Sequence, residues 1–96
     1  MKNNEEKSRM IKINRAIEDF GGLLRDYRKE NILTLEDMAQ LVSCSSSYIL
    51  RIEQYKRNPK VDFQLRILTQ GMNWSTEDVY LYLEKIISWQ KMNKKE

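Results

Sequence analysis

The sequence contains no histidine and a single cysteine, Cys44. Without histidine, the chain lacks the usual general base of enzymes and the commonest protein ligand of transition metals. A single cysteine cannot form an internal disulfide, and with no histidine to activate it, it is a poor nucleophile. These absences argue against an enzyme, a catalytic residue, a metal site or a cofactor, and they predict a reducing, cytoplasmic setting.

Glycine and proline are scarce, with three and one residues, and this scarcity favours helices. The adjacent pair Gly21–Gly22 is not followed by the Lys-Ser/Thr of a phosphate-binding loop. No run of 18 apolar residues predicts a membrane span, and the charged N-terminus lacks the apolar stretch of a signal peptide. With 41% hydrophobic and 32% charged residues, the composition is that of one globular domain.

The most informative stretch runs from Thr34 to Pro59. Thr34 is followed three residues later by Asp37, an arrangement that resembles a capping box at a helix start. Apolar residues then recur at helical spacing, stop at a Ser- and Cys-containing segment at 43–47, and resume until Asn58–Pro59 forbids continuation. Two short amphipathic helices joined by a tight break predict a helix-turn-helix, although the spacing alone also fits an ordinary αα-hairpin.

Further helices are predicted on both sides of this pair. Residues 1–9 are expected to fray, and apolar positions from Met10 to Tyr27 then follow a helical period, with a break or bend favoured at Gly21–Gly22. This apolar stripe packs either in the core or on a partner. Residues 61–67 alternate like a strand but also fit a helix, which is favoured because no second strand is available. Ser75 is predicted to cap a long last helix.

The order of residues in this stretch resembles the helix-turn-helix of the lambda-repressor-like, or XRE, family of bacterial and phage regulators. The matching positions are Thr34, Ala39, Ile49, Glu53 and Pro59. The resemblance covers roughly residues 20–73. It implies an all-α fold with a five-helix lambda-repressor-like helix-turn-helix domain. The helical patterns outside the resemblance add an N-terminal helical extension (1–19) and a long C-terminal helix (74–96).

The resemblance also implies that the second helix of the motif enters the major groove of double-stranded DNA. Serines at its start would contact bases, cations after it would contact phosphates, and Glu53 would be structural. The net charge of +3, from 17 basic and 14 acidic residues, permits a nucleic-acid partner without demanding one. The predicted DNA-binding residues are Thr34, Ser45, Ser46, Ser47, Tyr48, Arg51, Lys56, Arg57 and Asn58.

The last predicted helix is apolar on more than one side and therefore needs more than one neighbour. One neighbour is the N-terminal extension. The other interpretation is a homodimer through residues 79–89, with contacts from Val79, Tyr82, Leu83, Ile86 and Trp89.

Two functions remain open at this point. The first is a sequence-specific DNA-binding transcriptional regulator, a repressor acting as a dimer. The alternative is a helix-turn-helix module that binds another regulatory protein without binding DNA, through an apolar surface that includes Leu35, Tyr48 and Tyr55. RNA binding ranks last, because basic and aromatic residues are not interleaved on one face.

Overall fold

The computed structural model describes residues 4–93, and within that range it contains six α-helices, one π-helical turn and no strand. This confirms the all-α expectation. The first three residues and the predicted solvated tail beyond residue 93 lie outside the described residues. The elements are α1 (Asn4–Glu18), α2 (Phe20–Glu30), α3 (Leu35–Val42), α4 (Ser46–Glu53), α5 (Val61–Arg66), the π turn (Ile67–Gly71) and α6 (Thr76–Asn93).

The long N-terminal periodic segment is divided into α1 and α2 at Asp19. The Asp19 carboxylate caps α2 by accepting a hydrogen bond from the Gly22 amide at 3.1 Å. The predicted break therefore exists, but it precedes the glycine pair, which lies in the first turn of α2. Gly21 lets α2 approach the end of α4, because a Cβ there would overlap the Ile52 carbonyl oxygen and lie 3.0 Å from the Tyr55 ring.

Helix α1 packs along α6 and contributes to the core. Its residues Ile13 and Ala16 are buried, so its apolar stripe packs within the chain. The expectation that residues 4–9 would fray is wrong, since they belong to α1. Arg9 and Lys12 of α1 both pair with the buried Asp78 of α6, at 2.7 and 2.8 Å. These ion pairs join α1 to α6.

The two helices of the central motif are joined as their capping residues predict. Thr34 and Asp37 form a reciprocal capping box at the start of α3. After α3, Ser43 adopts the left-handed conformation at φ 60°, which turns the chain sharply toward α4. The apolar pattern suggested that the second helix extends to Tyr55, but α4 ends at Glu53 because Tyr55 is itself left-handed at φ 64°.

The segment after Pro59 is helical, as favoured, and it then widens into the π turn. The Met72 amide donates to the Ile67 carbonyl at 2.9 Å, five residues back. At Gly71 the π turn lies close against α3, because a Cβ there would be 2.7 Å from Met38 Sδ and 3.0 Å from Val42 Cγ1. Helix α6 follows, capped by Ser75, whose hydroxyl accepts from the Asp78 amide at 3.1 Å.

The core places one predicted dimer contact inside the chain. Tyr82 is 1% exposed, and its hydroxyl donates to Gln64 Oε1 at 2.6 Å. Burial raises the pKa of Tyr82 to about 12. Tyr82 is therefore not available for the intermolecular contact predicted for it, because the inward face of α6 is filled by α1 and by the segment from α5 to the π turn. Val79 and Ile86 also pack against this core.

Candidate nucleic-acid interface

The start of α4 presents serine side chains in two different roles. The Ser45 hydroxyl accepts from the Tyr48 amide at 3.1 Å and so caps the helix, and it lies 3.2 Å from the Ser47 hydroxyl. Ser47 is exposed, and Ser46 is half-buried. Ser45, one of the predicted base contacts, therefore also holds the helix end.

The Tyr48 ring, also predicted to contact DNA, is turned toward α5. It is half-buried and meets Phe63 edge to face, with ring centroids 5.2 Å apart. Arg66 also contacts Phe63. Its guanidinium lies 5.0 Å from the centroid of the Phe63 ring and donates to the Val42 carbonyl at 3.2 Å. Tyr48 thus fixes the orientation of α4 relative to α5.

The predicted phosphate contacts are brought together by the way in which the chain leaves α4. The Lys56 and Arg57 amides both donate to the Arg51 carbonyl, at 2.8 and 3.2 Å, so the chain folds back over the end of the helix. Arg51, Lys56, Arg57 and Asn58 are all exposed. Within residues 4–93, none of these three cations forms an ion pair.

Three cations of α1 are paired with acids. Arg9 and Lys12 are paired with Asp78, as described above, and Arg15 pairs with both Asp19 and Asp26 at 3.0 Å. Arg51, Lys56 and Arg57, by contrast, are three exposed cations without an acidic partner within the described chain, and they lie together at the end of α4, where a polyanion would be attracted.

Tyr55 connects this basic loop to the first two helices. Its hydroxyl donates to Asp19 Oδ1 at 2.7 Å. That hydrogen bond is the largest influence lowering the pKa of Asp19, and it outweighs the opposing effect of partial burial. The same carboxylate caps α2 and pairs with Arg15, so the position of the loop is tied to the α1–α2 junction.

Glu53 is structural, as the resemblance implied, and its partner is Arg28 of α2. The guanidinium donates to both carboxylate oxygens, at 2.7 and 2.9 Å, and also to the Leu33 carbonyl at 3.0 Å. Hydrogen bonding to Glu53 raises the pKa of Arg28. Sequence reasoning missed Arg28, since no local spacing signals a contact between residues 25 positions apart.

Two exposed leucines were also missed. Leu50 on α4 is 37% exposed, and Leu41 on α3 is 46% exposed. The spacing of the apolar residues places both leucines on the outward faces of their helices, and this spacing could have identified them as exposed. Thr34 is exposed at the start of α3, with its hydroxyl accepting from the Asp37 amide at 2.9 Å.

Burial raises the pKa of the half-buried Cys44 thiol, which opposes formation of a reactive thiolate. No group of His, Cys, Asp and Glu side chains within residues 4–93 is placed to hold a metal ion. None of the helices in that range combines the length and apolar character needed to cross a bilayer.

Two short helices joined by a left-handed turn, with the second presenting an exposed polar face, define a helix-turn-helix. The chain belongs to this family, since the family model described as a helix-turn-helix domain matches residues 19–69, more than half of the chain. The match confirms the motif recognised from the sequence over nearly the same residues. It also supports a DNA-binding regulator.

The chain is also similar to the uncharacterized protein YobJ of Bacillus subtilis (strain 168), with 27% identity over 94 residues. The aligned region covers 96% of this chain and 33% of YobJ, so the chain spans about a third of the length of this curated relative. No solved structure matches the chain significantly.

Proposed function

We propose that the chain is a sequence-specific DNA-binding transcriptional regulator of the lambda-repressor-like (XRE) type, a repressor that inserts α4 into the major groove. Ser46 and Ser47 contact base edges, while Arg51, Lys56 and Arg57 contact phosphates. In this arrangement, most of the affinity comes from phosphate neutralisation, and base readout adds selectivity.

The observation that carries the proposal is the cluster of cations without acidic partners around the end of α4. Arg51, Lys56 and Arg57 are held next to one another by hydrogen bonds to one carbonyl, with their side chains in solvent. A cluster of like charges is unfavourable for the isolated protein, and binding to a polyanion relieves it. Ser46 and Ser47 lie at the opposite end of the same short helix, so one docking orientation engages both the serines and the cations.

The alternative, a protein-binding module without DNA, depends on an apolar surface formed by Leu35, Tyr48 and Tyr55. Leu35 and Tyr48 are half-buried and pack on the core of their own chain. Tyr55 is 62% exposed, but its hydroxyl is bonded to Asp19 and its ring lies over Gly21. Since these side chains do not form a continuous outward patch, the geometry favours the DNA-binding hypothesis.

The test is fluorescence anisotropy with a pool of genomic DNA fragments at several salt concentrations, followed by competition among fragments. We expect log K to fall steeply with log salt, and some fragments to compete better than others. Arg51→Ala should weaken binding to all fragments. Ser46→Ala should change the order of fragments more than the total affinity. Lys85→Ala, an exposed cation on α6, is the control and should change neither.

Loss of DNA binding at every salt concentration would overturn the proposal. In that case, the same purified chain would be tested against regulators that contain their own helix-turn-helix. Retained affinity in Arg51→Ala would contradict the proposed docking orientation.

A second part of the proposal is that two copies associate through α6, which would place two α4 helices on a two-fold-related site. The outward face of α6 carries Tyr80, Leu83 and Ile87 at helical spacing, with Tyr80 and Ile87 more than half exposed. Glu77 near the start of this helix pairs with Arg9 at 3.3 Å, but its side chain is 69% exposed, and basic Lys91 lies near the end of the helix, so two antiparallel copies have complementary charge.

This arrangement revises the predicted dimer contacts. Of the five predicted residues, Leu83 remains on the outward face, whereas Val79, Tyr82 and Ile86 pack inward. Trp89 borders a groove near Tyr55 and Pro59. Sedimentation equilibrium should give a concentration-dependent mass that Ile87→Lys lowers to that of one chain. The matched variant Ile11→Lys, exposed on α1, should leave the mass unchanged. A mass that is independent of concentration in the unaltered chain would overturn this part.

A further inference from the structure

Leu50 occupies the middle of the exposed face of α4. It lies four residues after Ser46 and three after Ser47, so these three side chains share one face of the helix. Arg51 follows Leu50 and is also exposed, whereas Ile49, Ile52 and Glu53 are buried on the opposite face. Leu50 is therefore the single aliphatic side chain on the solvent-facing surface of this eight-residue helix.

The neighbours of Leu50 leave its side chain accessible in the middle of the helix. Serine side chains precede it on the same face, and the large Tyr48 ring that could have screened it is packed against Phe63. A single exposed leucine is common on protein surfaces and by itself carries no meaning. Here, however, it lies on the surface that the proposed function places against the major groove.

The floor of the major groove offers one apolar feature, the C5 methyl group of thymine. Serine hydroxyls serve either as donors or as acceptors, and they discriminate bases less sharply than bidentate side chains do. An aliphatic side chain between the serines and Arg51 adds a contact that a polar edge cannot replace. We infer that Leu50 is a specificity-determining residue that selects a thymine methyl group in the DNA site facing the centre of α4.

This inference rests on the proposed function and adds that α4 recognises a thymine methyl group. In the first step of the test, DNA sequences that bind the full chain are selected from a random pool. In the second step, each thymine of the selected site is replaced, one at a time, by deoxyuridine, which lacks the methyl group and keeps the pairing edge. We expect one position per half-site at which this replacement weakens binding by about fourfold, the value for a methyl-sized group removed from an apolar contact.

The variant Leu50→Ala should bind the thymine site more weakly and should no longer distinguish thymine from deoxyuridine at that position. The matched control is Leu41→Ala, which removes the same atoms from a somewhat more exposed position on α3. It should keep the full discrimination. Circular dichroism of both variants should show unchanged helix content, because neither side chain belongs to the core.

The possible results distinguish DNA binding by the chain from thymine recognition by Leu50. Selection that yields no preferred sequence overturns the proposed function and this inference together. A preferred sequence whose affinity is unchanged by deoxyuridine at every position overturns the inference and leaves the proposed function intact. The same holds if Leu50→Ala keeps the thymine preference of the unaltered chain.

Discussion

Arg28 and Glu53 form a bidentate ion pair that joins the end of α2 to the end of α4, with side chains that are 13% and 3% exposed. The third donor of Arg28 bonds the Leu33 carbonyl in the loop before α3. One guanidinium therefore connects three segments of the helix-turn-helix, and it fixes the angle at which α4 leaves the domain. A charge buried in this way is strongly unfavourable when its partner is removed.

Replacing Glu53 with Gln should lower the free energy of unfolding by about 3 kcal/mol, because Arg28 would then be a buried charge without a counter-ion. Urea denaturation followed by circular dichroism would measure the change. Glu30→Gln on the exposed end of α2 is the control, with an expected effect below about 0.5 kcal/mol. Equal denaturation midpoints for the two variants would contradict a structural role for the pair.

The adjacent glycines of α2 should respond differently to the same substitution. A Cβ at Gly21 meets the Ile52 backbone carbonyl, which cannot move without shifting α4. At Gly22, the atoms in the way belong to the side chains of Asp19 and Arg15. Alanine favours a helix over glycine by about 1 kcal/mol, which partly offsets the clash at Gly22. We expect Gly21→Ala to lower the thermal midpoint by more than Gly22→Ala does, and the reverse order would contradict the close α2–α4 contact.

The ion pairs of Asp78 predict a contribution to stability that depends on pH. Burial opposes the charged form, but Lys12 and Arg9 outweigh that effect, so the folded-state pKa of Asp78 lies below its ordinary value of 3.8. A carboxylate with a lowered pKa stabilises the fold above its unfolded-state pKa, and the contribution is lost as the pH falls through the folded-state pKa.

Asp78→Asn should therefore destabilise the chain by about 1 to 2 kcal/mol at neutral pH. The difference from the unaltered chain should begin to shrink as the pH falls below about 4, and it should disappear only below the lowered folded-state pKa of Asp78. Urea unfolding at a series of pH values would show the convergence. Glu84→Gln, an exposed change on the same helix, should give a small difference that does not vary in this way.

The salt dependence of DNA affinity should identify individual phosphate contacts. Lys56→Gln should reduce the slope of log K against log salt by about one, because one fewer counter-ion is released. Lys85→Gln, which also removes one exposed positive charge but lies on α6, should leave the slope unchanged. Equal slopes for all three proteins would mean that Lys56 does not contact the DNA backbone.

The helix ends could be predicted from the sequence because their signals are local. Thr34 with Asp37, Ser75, and the proline after Asn58 each act within a few residues, and the structure has helix boundaries at or near all of them. The helix-turn-helix could be recognised for a related reason, since its apolar, small and charged positions recur in one register.

Contacts between distant segments could not be predicted in this way. The pairing of Arg28 with Glu53 depends on how α2 and α4 meet, and the inward direction of Tyr82 depends on the rotation of α6 about its axis. Apolar residues surround α6 on several sides, so its period does not reveal which side faces the core. Residue type alone does not mark the left-handed backbone at Ser43 and Tyr55, because neither residue is a glycine.

The π turn between α5 and α6 has a consequence for chain length. A π turn holds one residue more than an α-turn of similar rise, so Ile67–Gly71 contains a residue that the helical path does not need. Thr69 and Gln70, in the middle of the turn, are exposed. We expect that removing one of them would let the segment close as an ordinary α-helix while the flanking residues keep their directions. This segment is therefore a place where the domain can become shorter by one residue and retain its fold, unlike the capped boundaries on either side of α3.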